Sequence, residues 1–289
     1  MKRIAWGLAA LMVVGATGVA LAQSVKVEAV QYPAWLDRDG KSAPLTPGTP
    51  LQSKDSVRTG GNARVVLRLA EGSTVKLGEN ARFEIESVEP KGVFRAALQV
   101  LAGAFRFTTA AIAKRQHRDV SIKVRNVTAG IRGTDVWGKA FDDRDLVCLL
   151  EGSVQVKSDG RPEVTLDKPL DFYQQPRGGE PQVARVDQKQ IDIWARETEI
   201  EPGAGAARAG GKWRVVAGRF EHRDTALKLA RELRARGYPA RVRDESATVY
   251  AAEIPGFAGE EEARTVMANL RGTPGVEIPS IQSGDQKPR

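Results

Sequence analysis

The chain has 289 residues, 41% of them hydrophobic, so it can bury a real core and divide into two or three domains of ordinary size. One cysteine excludes an internal disulfide, and the only two histidines, His117 and His222, lie far apart, so no metal set is expected. A formal net charge of +8 leaves nucleic acid, an anionic membrane or an acidic polymer as partners, and compartment must choose among them.

The first 23 residues bear on compartment. Lys2 and Arg3 precede an apolar run from Ile4 to Val19, and Ala20-Leu21-Ala22 has the small-x-small form of a cleavage site. The expectation is a signal peptide over 1–22, cut between Ala22 and Gln23, and an exported, periplasmic mature chain. The alternative is an uncleaved anchor, since the apolar run is near the minimum for a span. No cysteine lies near the cleavage point, so no lipid is expected. Export argues against nucleic acid, and cleavage removes the membrane contact.

Residues 23–50 read as a Pro-rich N-terminal extension. Val25, Val27 and Ala29 alternate with Lys26 and Glu28, which suggests one strand. Tyr32-Pro33-Ala34-Trp35 could pack on the next domain, and Asp39-Gly40-Lys41 is a turn. Residues 51–175 read as all β. Val65, Leu67 and Leu69 alternate along one run, Glu71-Gly72-Ser73 breaks it, and Val75 and Leu77 resume it. Glu151-Gly152-Ser153 and Gly103 repeat the device, glycine permitting the backbone of a tight turn. Short strands at this spacing predict a sandwich or a short β-solenoid.

Several stretches of this region resemble the FecR domain, a periplasmic all-β module. They are Asp55-Ser56-Val57-Arg58-Thr59-Gly60, Leu67-Arg68-Leu69-Ala70-Glu71-Gly72-Ser73, Leu101-Ala102-Gly103, Thr128-Ala129-Gly130-Ile131-Arg132-Gly133-Thr134-Asp135 and Leu150-Glu151-Gly152-Ser153-Val154. The family commonly has Gly-Asp where Lys54-Asp55 stands and an aromatic near Val136. The resemblance implies an envelope role, either contact with a protein or glycan or signalling of the iron-transport type. Regulators of that family relay signals to a sigma factor through a cytoplasmic arm. Only Met1, Lys2 and Arg3 precede the apolar run, so direct sigma-factor contact is not expected.

Arg132-Gly133-Thr134-Asp135 is either a polar corner for a ligand or a strand bend, with Gly133 at an unusual φ and Arg132 paired to Asp135 or to nearby carbonyls. Turn chemistry accounts for every residue type, so the bend is favoured. Asp142-Asp143-Arg144-Asp145 lacks the spacing of a calcium loop and reads as a solvated hairpin tip. Lys114-Arg115-Gln116-His117-Arg118 reads as a basic loop, and Cys148 as a small buried hydrophobe. No Gly-x-Ser-x-Gly, P-loop or Cys/His pair is present, so neither an enzyme nor a cofactor is expected.

Residues 176–211 read as a linker. Asp187 to Thr198 suggests a short helix, and the Gly/Ala-rich stretch from Pro202 to Gly211 suggests a slack tether. From Lys212 to Gln282 the order strand–helix–strand–strand–helix–strand predicts a ferredoxin-like α+β unit, followed by a tail over 283–289. Its strands are expected from Trp213 to Phe220, at Ala240–Arg243, from Thr248 to Ile254 and from Val276 to Ile281. The first helix, Asp224 to Arg236, has Ala226, Leu227, Leu229, Ala230 and Leu233 at helical spacing, a cap in Asp224 and a stop in Gly237. In the second, Glu260, Glu261 and Glu262 load the first turn, while Ala263, Val266, Met267 and Leu270 face inward.

Trp213-Arg214-Val215-Val216-Ala217-Gly218-Arg219-Phe220, the Ala226–Leu233 helix, Gly237-Tyr238 and Tyr250 to Phe257 resemble the SPOR family of peptidoglycan-binding repeats. The chain departs from that pattern at Val216, usually Gln, at Ala251, usually Arg, and at Pro255-Gly256, usually Gly-Pro. The resemblance implies binding to denuded glycan strands and a place in cell division, with localisation either septal or uniform. Strand alternation then puts Arg214, Arg241 and Arg243 on the open sheet face, with Val216 as its apolar floor and Gly218 beside it. Arg214, Val216, Arg241, Arg243 and Glu253 are the expected glycan site.

Overall fold

The structure is a computed structural model that describes residues 25–89, 93–110 and 118–284. The expected cleavage site at Ala22 and Gln23 and the basic run Lys114–His117 lie outside the described residues. No helix among the described residues is long and apolar enough to cross a membrane.

The first seventeen strands are β1 (Val25–Gln31), β2 (Ala34–Arg38), β3 (Lys41–Pro44), β4 (Pro50–Leu51), β5 (Ser56–Thr59), β6 (Arg64–Leu69), β7 (Thr74–Leu77), β8 (Arg82–Glu89), β9 (Phe94–Thr108), β10 (Arg118–Val124), β11 (Val127–Ile131), β12 (Asp135–Ala140), β13 (Arg144–Glu151), β14 (Val154–Ser158), β15 (Val164–Leu166), β16 (Asp171–Pro176) and β17 (Gln182–Arg185). They form a two-layer sandwich. One sheet runs β17-β16-β13-β12-β9-β7-β6-β1. The other runs β3-β2-β5-β8-β9-β10-β11-β14-β15. The long β9 serves both: Ala102 pairs with Arg82 in the second sheet, and Gly103 with Ala140 in the first. Between the layers lie Leu67, Leu77, Phe83, Ile85, Leu98, Phe105 and Phe107, all fully buried. This settles the sandwich over the solenoid.

Within the segment expected as an extension, residues 25–50 are part of the sandwich. β1 pairs with β6 and β2 with β5, and Val25, Val27 and Val30 belong to the core. The prolines that made this segment hard to read stand at strand ends and turns, where a missing N–H is tolerated.

The connector also departs from its expectation. After β17 come α1 (Gln188–Arg196) and β18 (Ala206–Arg208). The Asp187 side chain accepts from the Gln190 backbone N–H at 2.8 Å, which caps α1. Helix α1 lies on the outer face of the first sheet, where Trp194 stacks on the buried Trp137 at 4.7 Å between ring centroids, the planes 4° apart. Alternate residues of β12 and β13 therefore meet different cores: Val136, Val147 and Leu149 face the sandwich interior, Trp137, Leu146 and Cys148 the helix. A strand covered on both sides explains the unbroken apolar run around Cys148. Burial, helped by the negative charge of Asp171, pushes the Cys148 thiol up to about 12.

The C-terminal unit comprises β19 (Trp213–Phe220), α2 (Arg223–Ala235), β20 (Arg241–Ser246), β21 (Val249–Phe257), α3 (Glu260–Asn269) and β22 (Ser280–Ser283). Its antiparallel sheet is ordered β20-β21-β19-β22, the expected βαββαβ. Two local expectations shift. His222 holds the cap position of α2 without a side-chain bond, and Asp224 sits in the first turn. The last strand starts later because the backbone turns at Gly275, and Val276 plugs the core before the sheet resumes.

The two units are joined without slack. β18 pairs with β1 through Ala29–Arg208, Val30–Ala207 and Gln31–Ala206, and Ala207 pairs with Phe257 of β21, so one sheet continues across both. Glu262 of α3 accepts the backbone N–H groups of Gly203, Gly205 and Ala206 at 2.9, 2.5 and 2.7 Å, which fixes the stretch expected to be a tether. Tyr32 packs on Tyr238 and Phe257, so the aromatic segment at 32–35 does meet another unit, the C-terminal one. Gly237 ends α2 at φ +84°, and a Cβ there would fall 2.8 Å from the Trp35 ring.

Candidate functional site

Helices α2 and α3 cover one face of the C-terminal sheet. Ala226, Leu229, Ala230 and Leu233 from α2, with Ala263 and Val266 from α3, pack there against Val215, Ala217, Ala252 and Ile254. The opposite face carries the polar residues of all four strands.

Two bulges decide which residues reach that face. On β19 the register shifts between Val216, paired with Glu253, and Gly218, paired with Ala252. Past the bulge the alternation is reversed. Gly218 turns inward, where a Cβ would meet Phe220 and Leu229, and Arg219 turns outward. Gly218 therefore does not stand beside Arg214 and Val216, as simple alternation placed it. On β20 a second shift, between Asp244 and Ser246, falls at Glu245.

All five expected residues come together. Glu253 lies at the centre, its side chain 0% exposed. Its Oε1 accepts from Arg241 Nε at 2.9 Å and its Oε2 from Arg243 Nε at 2.7 Å. Arg214 Nη1 stands 3.6 Å from the same Oε2. Val216, fully buried, forms the floor next to it. The arginines are unequally open: 57% of the Arg241 side chain is exposed, but only 24% of Arg243 and 18% of Arg214.

Sequence reasoning missed Arg219 and Glu245. Arg219 donates to Glu245 through Nε at 2.7 Å and to the Ser280 hydroxyl at 3.0 Å. Arg243 Nη2 donates to Glu245 at 2.7 Å and to Gln282 Oε1 at 2.9 Å. Burial works against the charge of Arg243, but the hydrogen bonds and charges of Glu253 and Glu245 outweigh it and hold its pKa above the ordinary guanidinium value. Ala251 pairs with both Arg219 and Arg243, so arginines on the two neighbouring strands flank the site where the family usually has its own. Four arginines and two carboxylates leave a formal surplus of +2 on the face.

The sandwich motif has another character. Gly133 has φ +79°, while Arg132 is exposed. Asp135 is bound not by Arg132 but by Arg106, at 3.0 Å from Nε to Oδ1 and 2.7 Å from Nη2 to Oδ2. A neighbouring strand outcompetes a sequence neighbour because Arg106 and Asp135 project from the same side of the paired β9 and β12. Arg106 also reaches Glu199 at 3.2 Å, which Lys76 holds at 2.6 Å. Thr134 and Thr109 exchange backbone contacts: the Thr109 N–H donates to the Thr134 carbonyl, and the Thr134 N–H to the Thr109 hydroxyl, both at 3.1 Å. At the expected hairpin tip, Asp142 and Asp143 are open to solvent as read, but Asp145 is buried, 3.7 Å from Arg125. Among the described residues no group of three or more His, Cys, Asp or Glu is placed to hold a metal.

Comparison with known proteins follows these two regions. A family model described as FecR protein matches residues 55–155, and one described as SPOR domain matches 209–279. The first spans β5 to β14; strands before and after it complete both sheets. No curated protein matches the chain. The chain is similar to two crystal structures of "a putative anti-sigma factor" from Parabacteroides distasonis ATCC 8503, at 14% and 13% identity and a TM-score of 0.42 each. These alignments cover 76% of this chain and 91% and 92% of theirs. The chain thus carries a FecR domain within its sandwich and a SPOR domain at its C-terminal end.

Proposed function

We propose that this is an exported bacterial envelope protein that holds peptidoglycan, at denuded glycan strands, through the open face of its SPOR domain. The supporting observation is the gathering of Arg214, Arg219, Arg241 and Arg243 on the sheet face opposite both helices. A planar guanidinium suits carboxylates and sugar hydroxyls, and a stripped strand carries a lactyl carboxylate on alternate sugars. Attached stem peptides would hold such a strand off a flat face. Binding, not catalysis, is the chemistry this face offers. The place of action is the periplasm, at the septum where stripped strands arise during division.

A second role, envelope signalling with another protein as partner, draws on the FecR match. The continuous sheet and the Glu262 clamp favour it, because a pull on the SPOR face would be carried to the sandwich rather than lost in a tether. The test of the main reading is sedimentation of the purified chain lacking 1–22 with intact and with amidase-treated sacculi. More protein should pellet with the treated sacculi; protein left in the supernatant of both at low salt overturns the reading.

A further inference from the structure

Glu253 is the unusual member of the SPOR face. Its side chain is completely buried, yet it lies on the side away from the hydrophobic core, under the guanidiniums. It cannot touch a ligand unless they leave. Both carboxylate oxygens are engaged by Nε atoms, one from Arg241 and one from Arg243. An arginine anchored through Nε has its planar head fixed in direction, and Arg241, its side chain 57% exposed, holds Glu253 through Nε and not through a terminal nitrogen. Long side chains of this kind otherwise lose conformational entropy when binding immobilises them.

We infer that Glu253 is the positioning residue of this face: it fixes the guanidiniums of Arg241 and Arg243 in advance, so that the ends of Arg241 meet a glycan carboxylate or hydroxyl already aligned. The inference rests on the proposed glycan binding. It makes a prediction of sign that simple charge attraction reverses. Glu253→Gln removes one negative charge and takes the surplus of the face from +2 to +3. If attraction to an anionic polymer governs binding, the variant holds treated sacculi more tightly. With positioning in control, the amide's NH2 faces one of the two Nε donors, the guanidiniums come loose, and binding weakens by about tenfold.

The experiment is co-sedimentation of wild type and Glu253→Gln with amidase-treated sacculi, alongside NMR of the arginine Nε–H groups in the wild-type chain. The expected results are a tenfold weaker pelleting of the variant, a steeper loss of binding with salt, and wild-type Arg241 and Arg243 Nε–H signals that stay protected when soluble denuded strands are added. Equal or tighter pelleting of a folded variant overturns the inference and leaves glycan binding standing. A wild type that never pellets overturns both. Should the variant fail to fold, the wild-type spectra decide: Nε–H signals that exchange freely, or that lose protection as the strand displaces Glu253, contradict positioning.

Discussion

Two regions of this molecule use the same chemistry to different ends. In the sandwich, Arg106 grips Asp135 and Glu199, and Lys76 closes on Glu199. In the SPOR domain, Arg241, Arg243 and Arg214 surround Glu253, and Arg219 and Arg243 share Glu245. What separates them is cover. Glu199 belongs to the chain that leaves α1, so the protein's own connector closes the first network. The second lies on the outer face of a sheet, and Arg241 remains more than half exposed. An arginine cluster is thus not a site by composition alone. One bridged by the protein's own connector supports the fold, and one whose outermost arginine stands more than half exposed on a sheet face is available to a partner.

That contrast can be broken by substitution. The largest effect is expected from Arg106→Ala, which strands the largely buried Asp135. It should cost roughly 3 kcal/mol in a denaturant melt and leave sacculus binding unchanged. Loss of binding with no loss of stability would erase the distinction between the networks. Gly133→Val forces a β-branched residue to φ +79° and should cost about 1–3 kcal/mol. An unshifted thermal melt would revive the ligand reading of that corner. Glu262→Ala removes one acceptor from three N–H groups and should cost about 1–3 kcal/mol. It should also raise hydrogen exchange at Gly203, Gly205 and Ala206; unchanged exchange there would mean the joint does not depend on the clamp. The smallest effect is at Cys148. Its thiol, raised to about 12, should resist a disulfide reagent at pH 8 until the chain is unfolded. A raised folded pKa gives a contribution present below about pH 8.5, the ordinary thiol value, and lost as pH climbs towards 12. Native labelling at pH 8 would contradict the burial under α1.

Much of this was legible in the sequence. The apolar spacing of Leu229, Ala230 and Leu233 marked α2, and alternation around Leu67 and Leu69 marked sandwich strands, because each has one buried face. Arg214, Arg241, Arg243, Val216 and Glu253 were gathered correctly by strand parity. Parity then failed at Arg219, since a bulge reverses it and only a glycine in mid-strand, Gly218, hinted at one; Glu245 shares the parity of Arg241 and Arg243 but lies beyond the Ala240–Arg243 stretch expected as strand. The partner of Asp135 was hidden for a different reason. Arg106 is 29 residues away and reaches it through strand pairing, which local reading does not supply. Composition misled over 202–211 as well: glycines there serve a strand held by Glu262 and β1, not a slack chain.

Removing Arg214, Arg241 and Arg243 together would leave buried Glu253 with no partner. Arg219→Ala with Arg241→Ala spares Arg243, which keeps hold of both Glu253 and Glu245, and brings the surplus of the face from +2 to 0. The most direct test of the central claim is therefore sedimentation of this double variant with amidase-treated sacculi, beside wild type and with melts of both. An uncovered arginine face that binds glycan predicts a chain that still folds, less stable by about 1–3 kcal/mol for the Glu253 oxygen that loses Arg241, and binding weakened at least about tenfold, one charge-assisted contact of roughly 1.5–3 kcal/mol being lost at the least. A folded double variant that pellets as well as wild type would contradict it.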